Sequence, residues 1–291
     1  MTTPLPTAYF NGVFMPLAEV RVSPLDRAFL FGDAVYEVIP VYAGQPFLLE
    51  AHLDRLERSL GEVRIRNPHS RSAWVALLGG LIEHNGGGNL AVYVQVSRGA
   101  DVGRDHTFPG ETVAPTVFGM VTPMAQARSD DGGIEAITLP DNRWGRCDIK
   151  STALLANVLA RQSAREAGAG EAILIRNGEL SEGSASSVII VERRVLLRRP
   201  AGPEVLPGTT TDAVFAIARQ GGLSCRDEPI PEQRLRQADE IWVAAATRSI
   251  APVIRLDGRP VGTGKPGPVW QQVAAAFDAS KPQARSVRRE P

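Results

Sequence analysis

Residues 143–151 read Arg143-Trp144-Gly145-Arg146-Cys147-Asp148-Ile149-Lys150-Ser151, a polar loop that ends in a lysine. The chain has 32 basic residues, and only Lys150, Lys265 and Lys281 among them are lysines. The arginines we interpret as surface cations. A guanidinium stays charged and cannot serve as a nucleophilic amine, so a lysine that persists in an arginine-rich chain indicates amine chemistry. Lys265 lies in a glycine-rich turn and Lys281 in a polar tail, where we expect both to be solvated.

Lys150 has a context that suits such chemistry. A helix is predicted over 152–168, with Ser151 or Thr152 as its cap. The positive end of the helix dipole would then disfavour the charged form of Lys150. The neutral amine is the form that attacks a carbonyl. The competing interpretation is an exposed loop lysine paired with Asp148, and the local sequence leaves both open.

Composition limits the class of protein. The 291 residues are 43% hydrophobic and 22% charged, the balance of a soluble globular chain. The 32 acidic residues cancel the 32 basic ones, which argues against nucleic-acid binding by phosphate neutralisation. No apolar run of membrane-spanning length and no standard signal peptide is present, so we expect neither a membrane partner nor secretion. Two cysteines, Cys147 and Cys225, without a CxxC motif argue against a metal site and fit a reducing cytoplasm.

Sequence periodicity predicts a mixture of strands and helices, opened by a hairpin around Asn11-Gly12. The strands and helices do not alternate strictly, which favours two α/β or α+β lobes over one doubly wound sheet. The predicted strands are 34–42, 90–97, 113–122, 134–139, 171–176, 186–191 and 240–245, and the predicted helices are 50–63, 70–84, 152–168, 209–221 and 267–279.

Domain boundaries follow from a shift in composition. Residues 122–132 are polar and turn-forming and form the predicted interdomain linker. We therefore expect an N-terminal domain over 1–121 and a C-terminal domain over 133–280 that contains Lys150. Residues 281–291 are predicted to be a disordered tail.

Further motifs carry candidate binding groups. Glu182 lies in the small-residue run 181–187, where it fits the partner of a cation such as a protonated ring nitrogen; the alternative is a simple turn. Gly208-Thr209-Thr210-Thr211 opens a predicted helix, which suits a phosphate, and ordinary N-capping is the alternative. Arg55 is a candidate phosphate ligand on a helix that could equally be solvated. The loop 98–110 suits a carboxylate trap or an incidental polar loop.

Taken together, these motifs resemble the class IV aminotransferases, the pyridoxal 5'-phosphate (PLP) enzymes of fold type IV, and most of all the members that act on D-amino acids. The resemblance extends from about Phe10 to Trp270. It implies a smaller N-terminal α/β lobe and a larger C-terminal lobe with the active site between them. The motifs that carry it are Asp26–Glu37, His52–Arg55, Arg143–Ser151 and Ser181–Ser187.

The resemblance also implies roles for individual residues. Lys150 would be the catalytic residue, holding PLP as a Schiff base and moving the substrate proton. Glu182 would pair the pyridine nitrogen, and Leu206 would pack against the ring. The implied phosphate ligands are Arg55, Thr209, Thr210 and Thr247.

Some positions depart from the family pattern. Ala246 stands where a phosphate-binding hydroxyl is usual, so either Thr247 replaces it or the contact is made by backbone alone. Ser187 and Arg248 are also unusual at their positions. These departures concern the phosphate site and the substrate range and leave the family resemblance intact.

The resemblance extends to the substrate and to assembly. Tyr36, Arg104 and His106 match the trap for the α-carboxylate in D-specific members, with Arg104 and His106 supplied by the neighbouring subunit of a homodimer. The implied activity is transamination between a D-amino acid of the D-alanine type and a 2-oxo acid such as 2-oxoglutarate, in the cytoplasm. A branched-chain aminotransferase, an (R)-amine transaminase, an aminodeoxychorismate lyase and a cofactor-binding protein without turnover are the alternatives.

Overall fold

The computed structural model describes residues 3–124 and 132–283. Within these ranges the chain forms two compact units: residues 3–124, 150–153 and 281–283 make the first, and residues 132–149 and 154–280 the second. Most of the predicted linker 122–132 and most of the predicted tail 281–291 lie outside the described residues, so their character stays a prediction.

The first unit is a six-stranded antiparallel sheet with helices. The spatial order of its strands is β2-β1-β6-β5-β3-β4. Asn11 and Gly12 both have positive φ, 45° and 100°, as the predicted tight hairpin requires. The elements are β1 (Thr7–Phe10), β2 (Val13–Pro16), α1 (Arg27–Phe31), β3 (Ala34–Tyr42), β4 (Gln45–Pro46), α2 (Leu49–Glu62), α3 (Arg71–His84), β5 (Leu90–Ser97) and β6 (Thr116–Pro123), with a short 3-10 helix at Leu17–Glu19.

The second unit is a nine-stranded mixed sheet. Its order is β12-β11-β10-β13-β14-β7-β8-β9, and β15 pairs with β14. β7 runs parallel to both β8 and β14. The elements are β7 (Ile134–Pro140), α4 (Leu155–Glu166), β8 (Glu171–Arg176), β9 (Glu179–Gly183), β10 (Ser187–Glu192), β11 (Val195–Arg198), α5 (Thr209–Gln220), β12 (Ser224–Asp227), α6 (Glu232–Gln237), β13 (Glu240–Ala245), β14 (Ser249–Leu256), β15 (Arg259–Pro260) and α7 (Pro268–Ala279).

The predicted fold class is confirmed, and strands β3, β5, β8 and β13 begin and end at the predicted residues. The sequence pattern does not predict seven of the elements, namely α1, β9, β11, β12, α6, β14 and β15. None of the helices in 3–124 and 132–283 is both long and apolar enough to cross a membrane. Both cysteines are free thiols.

The segment around Lys150 differs from its prediction. The amide of Tyr36 donates to the carbonyl of Lys150 at 2.9 Å, and the amide of Thr152 donates to Ala34 at 2.9 Å. These bonds hold residues 150–152 extended beside β3. The predicted helix start is therefore wrong: α4 begins at Leu155 with Leu154 as its N-cap, and the Thr152 hydroxyl donates to Gly32 at 3.1 Å.

The structure also places two lysines differently from the sequence-based predictions. Because of its pairing with β3, Lys150 belongs to the first unit, whereas the predicted boundaries assign it to the C-terminal domain. The expectation that Lys281 is solvated is wrong. Only 7% of Lys281 is exposed, and its Nζ lies 5.2 Å from the centre of the Tyr42 ring.

One buried carboxylate in the second unit gives a stability prediction. Glu240 accepts hydrogen bonds from the amides of Val269 and Trp270, both at 2.9 Å, and from Trp242 Nε1 at 3.0 Å. Glu240→Ala leaves these buried donors without an acceptor. We therefore expect the free energy of unfolding, measured by urea denaturation, to fall by about 3 kcal/mol. Glu135→Ala, at an exposed carboxylate 3.8 Å from Arg255, is the matched control. Equal losses in the two variants would contradict this role of Glu240.

Candidate active site

Lys150 lies against an aromatic ring in the first unit. Its Nζ is 4.4 Å from the centre of the Tyr36 ring, and its backbone amide donates to the Ser59 hydroxyl at 3.3 Å. Tyr36 in turn stacks on Tyr93, with ring centres 5.5 Å apart. The structure thus brings together Lys150 and Tyr36, two of the residues predicted for the site. Asp148, the partner in the competing interpretation, accepts hydrogen bonds from Arg146 at 2.9 and 3.0 Å.

A buried ion pair lies beside Lys150. Glu37 is fully buried and accepts from Arg55 Nε at 2.7 Å and Nη2 at 2.9 Å, while His52 Nδ1 lies 2.8 Å away. Burial alone would raise the pKa of Glu37, but the charge and hydrogen bonds of Arg55 lower it to about 2, and Lys150 adds to this effect. Burial lowers the pKa of His52 against the opposing influence of Glu37. Glu37 is therefore an anion at neutral pH.

The pair orients Arg55, the predicted phosphate ligand. Two of its N–H groups are fixed on Glu37, so the guanidinium has a single orientation. Sequence reasoning missed Glu37 and His52 as parts of the site. The signal was present, since a carboxylate in the apolar strand β3 is costly unless it is paired. The interpretation of the arginines as surface cations is wrong for Arg55, of which 8% is exposed.

A second carboxylate cluster lies in the second unit. Glu182 is buried, accepts from Arg143 Nη1 at 2.5 Å, and accepts from the amide of Leu206 at 3.1 Å. Asp141 binds the other side of Arg143 through two hydrogen bonds of 2.9 Å. Burial alone would raise the pKa of Asp141, but hydrogen bonds from Arg143 and Ser181 hold it well below its usual range. Glu182 thus pairs with the guanidinium of Arg143 within the protein, and its predicted pairing with a ring nitrogen stays a prediction.

The threonines at the start of α5 form a cradle with Gly208. Thr209, Thr210 and Thr211 are all buried. Gly208 is the N-cap of α5, and as a glycine it has no side chain that could accept a hydrogen bond from the first amides of the helix. The Thr211 hydroxyl is buried and makes no hydrogen bond within the described ranges. A Cβ on Gly208 would lie 2.6 Å from Ser187 Oγ and 2.9 Å from Thr211 Oγ1.

This arrangement suits an anion. A helix N-terminus offers amide donors and the positive end of a dipole, and an unsatisfied hydroxyl adds a further donor. Only glycine at position 208 leaves the space between the two hydroxyls open. We name Gly208, Thr209, Thr210, Thr211 and Ser187 the threonine cradle. Thr209 and Thr210 are among the phosphate ligands predicted from the sequence, and Thr211 is not; the ligand role of all three stays a prediction.

Thr247 and Arg248 lie in the turn between β13 and β14. Thr247 is exposed, and its assignment as a phosphate ligand stays a prediction. Arg248 Nη2 donates to the carbonyl of Gly170 at 3.1 Å, and its Nη1 is 3.8 Å from Glu171. Arg248, which departs from the family pattern, thus contacts residues at the start of β8.

Arg104 and His106 lie together on the exposed loop between β5 and β6. The Arg104 guanidinium is 4.9 Å from the centre of the Phe31 ring, and the His106 ring is 5.1 Å from it. Two exposed side chains that can bind an anion therefore share one aromatic support. This pair and the pair of Tyr36 with Lys150 both belong to the first unit.

Comparisons with known proteins agree over most of the chain. Residues 34–256 match amino-transferase class IV. A D-alanine aminotransferase of Bacillus licheniformis is 36% identical over 272 residues, which cover 93% of this chain and 95% of that protein. A branched-chain amino acid aminotransferase structure from Escherichia coli is 24% identical with a TM-score of 0.88, covering 98% of this chain and 97% of that one. A hypothetical aminotransferase from Mycobacterium tuberculosis, in a PLP-bound form, is 26% identical with a TM-score of 0.82, covering 94% and 98%.

The threonine cradle gives a prediction with two readouts. Thr211→Val removes an unsatisfied buried hydroxyl, so the ligand-free protein should gain about 1 kcal/mol in free energy of unfolding. The same variant should bind PLP about tenfold more weakly, because it loses a donor to the phosphate. Urea denaturation without ligand and a PLP titration followed by absorbance measure the two effects.

A glycine pair provides the control for this prediction. Gly208→Ala fills the cradle and should weaken PLP binding further, whereas nothing lies within 4 Å of a Cβ at Gly202, so Gly202→Ala should bind PLP like the parent. PLP affinities unchanged in both Thr211→Val and Gly208→Ala would show that the phosphate is held elsewhere.

Proposed function

This chain is a class IV aminotransferase, and on that premise we propose that it transfers the amino group of a D-amino acid of the D-alanine type to a 2-oxo acid such as 2-oxoglutarate, with PLP as cofactor. The observation that carries the proposal is the similarity to D-alanine aminotransferases over 93% of the chain. The residues Tyr36, Arg104 and His106 support it, because a phenol, a guanidinium and an imidazole can each donate a hydrogen bond to a substrate carboxylate. Transamination of branched-chain L-amino acids is the second candidate, favoured by the fold similarity to such enzymes.

The chain's own residues fit PLP. Bound PLP supplies an electron sink that stabilises negative charge at the substrate Cα. In the second unit, the threonine cradle would hold its phosphate. In the first unit, Arg55 is a candidate phosphate ligand, and Lys150 would hold the cofactor covalently through Nζ. Glu182 would face its pyridine nitrogen, with Leu206 packed on the ring.

Lys150 also carries the proton in this proposal. A free amine near the substrate can accept a proton from Cα and return it elsewhere, as a general base and acid does. The Tyr36 ring, 4.4 Å from Nζ, limits where that amine can move. A base fixed on one side of the substrate adds and removes protons on one face only, so it selects one enantiomer.

Arg143 and Asp141 support the role of Glu182. Arg143 donates to Glu182 and fixes the position of its carboxylate. Asp141 holds Arg143 in place from the opposite side. An ionised Glu182 would in turn favour the protonated state of the ring nitrogen.

We further propose a cytoplasmic homodimer in which the loop with Arg104 and His106 serves the neighbouring subunit. The free thiols of the two cysteines suit a reducing compartment. Dimerisation is supported by an apolar surface on α4. Leu155, Val158 and Leu159 lie on one face at i, i+3, i+4 spacing and are 73%, 59% and 60% exposed.

The function is tested by mixing the PLP-loaded protein with single amino donors and recording its absorbance near the visible edge. D-alanine should abolish the band of the bound cofactor, and 2-oxoglutarate should restore it, while L-alanine leaves it unchanged. A response confined to L-leucine would support the branched-chain candidate. A response confined to (R)-1-phenylethylamine would indicate a pocket for donors without a carboxylate.

Lys150→Ala should abolish turnover. Without the amine we expect the rate with D-alanine to fall at least about a thousandfold, because proton transfer at Cα has no carrier. Circular dichroism should show an unchanged fold, since the backbone bonds of residue 150 to β3 remain. Lys265→Ala, at an exposed lysine, is the control and should keep full turnover. Residual turnover of Lys150→Ala near the parent level would refute the assignment.

The α4 surface predicts the state of assembly. The double variant Leu155→Asp/Leu159→Asp places two charges on the apolar face and should convert dimer to monomer, as measured by light scattering during gel filtration. Val75→Asp, at a residue on α3 that is 41% exposed, should remain dimeric. If the double variant remains dimeric, the dimer interface lies on another surface of the protein.

A further inference from the structure

We propose that Arg27, Phe31 and Asp33 act as a brace that positions Arg104 and His106, and so determine the affinity for the substrate carboxylate without touching it. These three residues lie on α1 and directly after it. The inference rests on the proposed function, because it takes Arg104 and His106 as carboxylate-binding groups. We call the three residues the loop brace, and residues 99–114 the braced loop.

The guanidinium of Arg27 joins the brace to the middle of the loop. Its Nη1 donates to the carbonyl of Asp105 at 2.7 Å and its Nη2 to the carbonyl of His106 at 3.4 Å, while Nε donates to Asp33 at 2.8 Å. Arg27 is 3% exposed, although the loop that it holds is exposed. The bonds go to backbone carbonyls, so the side chains of Arg104 and His106 stay available for a ligand.

The ends of the braced loop are fixed separately. The amide of Arg27 donates to the carbonyl of Gly99 at 2.9 Å. Gly99 has φ of 101°, and a Cβ there would overlap the carbonyl oxygen of Ala114. The ends of the loop therefore have contacts of their own, and the bonds from Arg27 to Asp105 and His106 add a separate restraint at its middle.

Asp33 fixes the orientation of Arg27. Its carboxylate accepts from Arg27 and also from Arg98, at 2.8 and 2.9 Å. Burial alone would raise the pKa of Asp33, but the hydrogen bonds and charges of Arg98 and Arg27 lower it, so the carboxylate stays ionised at neutral pH. Arg98 is itself anchored on the carbonyls of Val63 and Arg64. The brace is therefore attached to the body of the first unit.

Phe31 supports the two binding side chains directly. Its ring centre lies 4.8 Å from the guanidinium of Arg27, 4.9 Å from that of Arg104, and 5.1 Å from the His106 ring. A cation over an aromatic face is attracted to it and is restricted in position. Arg104 is thus placed by the backbone that Arg27 holds and by the ring on which it lies.

Loss of the brace should affect substrate binding more than the rate of the chemical step. A guanidinium recognises a carboxylate through two parallel hydrogen bonds, and small displacements weaken both. Loss of the brace should therefore raise KM for D-alanine and for 2-oxoglutarate, which both carry a carboxylate. It should leave kcat and PLP affinity close to those of the parent, because the proposed groups for these steps are Lys150, Glu182 and the threonine cradle.

The test is steady-state kinetics of brace variants together with hydrogen exchange of the braced loop. Arg27→Gln cannot bind Asp33 and both carbonyls at once, so KM for D-alanine should rise about tenfold to a hundredfold with kcat within about threefold. Amides of residues 100–112 should exchange faster. Arg27→Lys keeps the charge but lacks the planar fork, and its KM should be intermediate.

A matched control distinguishes the effect of losing the brace from the effect of removing any arginine that binds carboxylates. Arg71 also binds two carboxylates, Glu50 and Asp54, but does so at the surface. Arg71→Gln should leave both KM and loop exchange unchanged. If Arg27→Gln does not fold, Phe31→Leu decides the question, since it keeps the Arg27 hydrogen bonds and removes only the ring. Its KM should rise about threefold to tenfold.

The outcomes distinguish this proposal from the proposed function. If the parent prefers L-donors, the proposed function fails, and loop exchange in Arg27→Gln still tests the brace. Faster loop exchange with an unchanged KM would overturn the positioning role. Unchanged loop exchange, or a fall in kcat and PLP affinity as large as the rise in KM, would overturn it as well.

Discussion

The pairing of residues 150–152 with β3 is the constraint on which the first unit's part of the site depends. Two backbone hydrogen bonds, from Tyr36 to Lys150 and from Thr152 to Ala34, fix the lysine beside the strand. Because β3 also carries Glu37, this pairing brings the amine near a buried carboxylate and the Tyr36 ring. Backbone pairing is a stronger restraint than a side-chain contact, since it fixes the position from which a flexible lysine side chain starts.

Buried charges in both units follow one design, a carboxylate held by an arginine with several hydrogen bonds. Removing a charge from water is costly, and the pair is stable only when geometry and hydrogen bonding are good. The planar guanidinium meets this requirement and can also donate to carbonyls, whereas an ammonium cannot do so in a fixed plane. This explains why these buried carboxylates are paired with arginine and not with lysine. The clusters are Glu37 with Arg55, Asp141 and Glu182 with Arg143, and Asp33 with Arg27 and Arg98.

The local sequence pattern predicts those strands and helices whose residue types alone favour that structure. β3, β5 and β8 are runs of β-branched and apolar residues, and their bounds follow from the sequence. β14 was missed although it lies between β13 and β7, since it contains Pro252 and begins at Ser249 with φ of 61°. The helix start after Lys150 was wrong because β3 takes up the backbone groups that would have begun the helix. Local features thus hide β14, whereas at the helix start a distant segment overrides local preference.

The sequence by itself determined the family, the scarcity of lysine that marks Lys150, and the candidate role of Glu182, because each of these depends on residue type and order. Only the tertiary structure decided what surrounds them. It gave Arg55 its partner Glu37, Glu182 its partner Arg143, and the loop of Arg104 its contacts with Arg27. These partners are 18, 39 and 78 residues apart for the three hydrogen bonds concerned, and no local pattern relates residues at such separations. Burial then decides which charges must pair, because the cost of removing a charge from water depends on its position in the fold and not on its neighbours in the sequence.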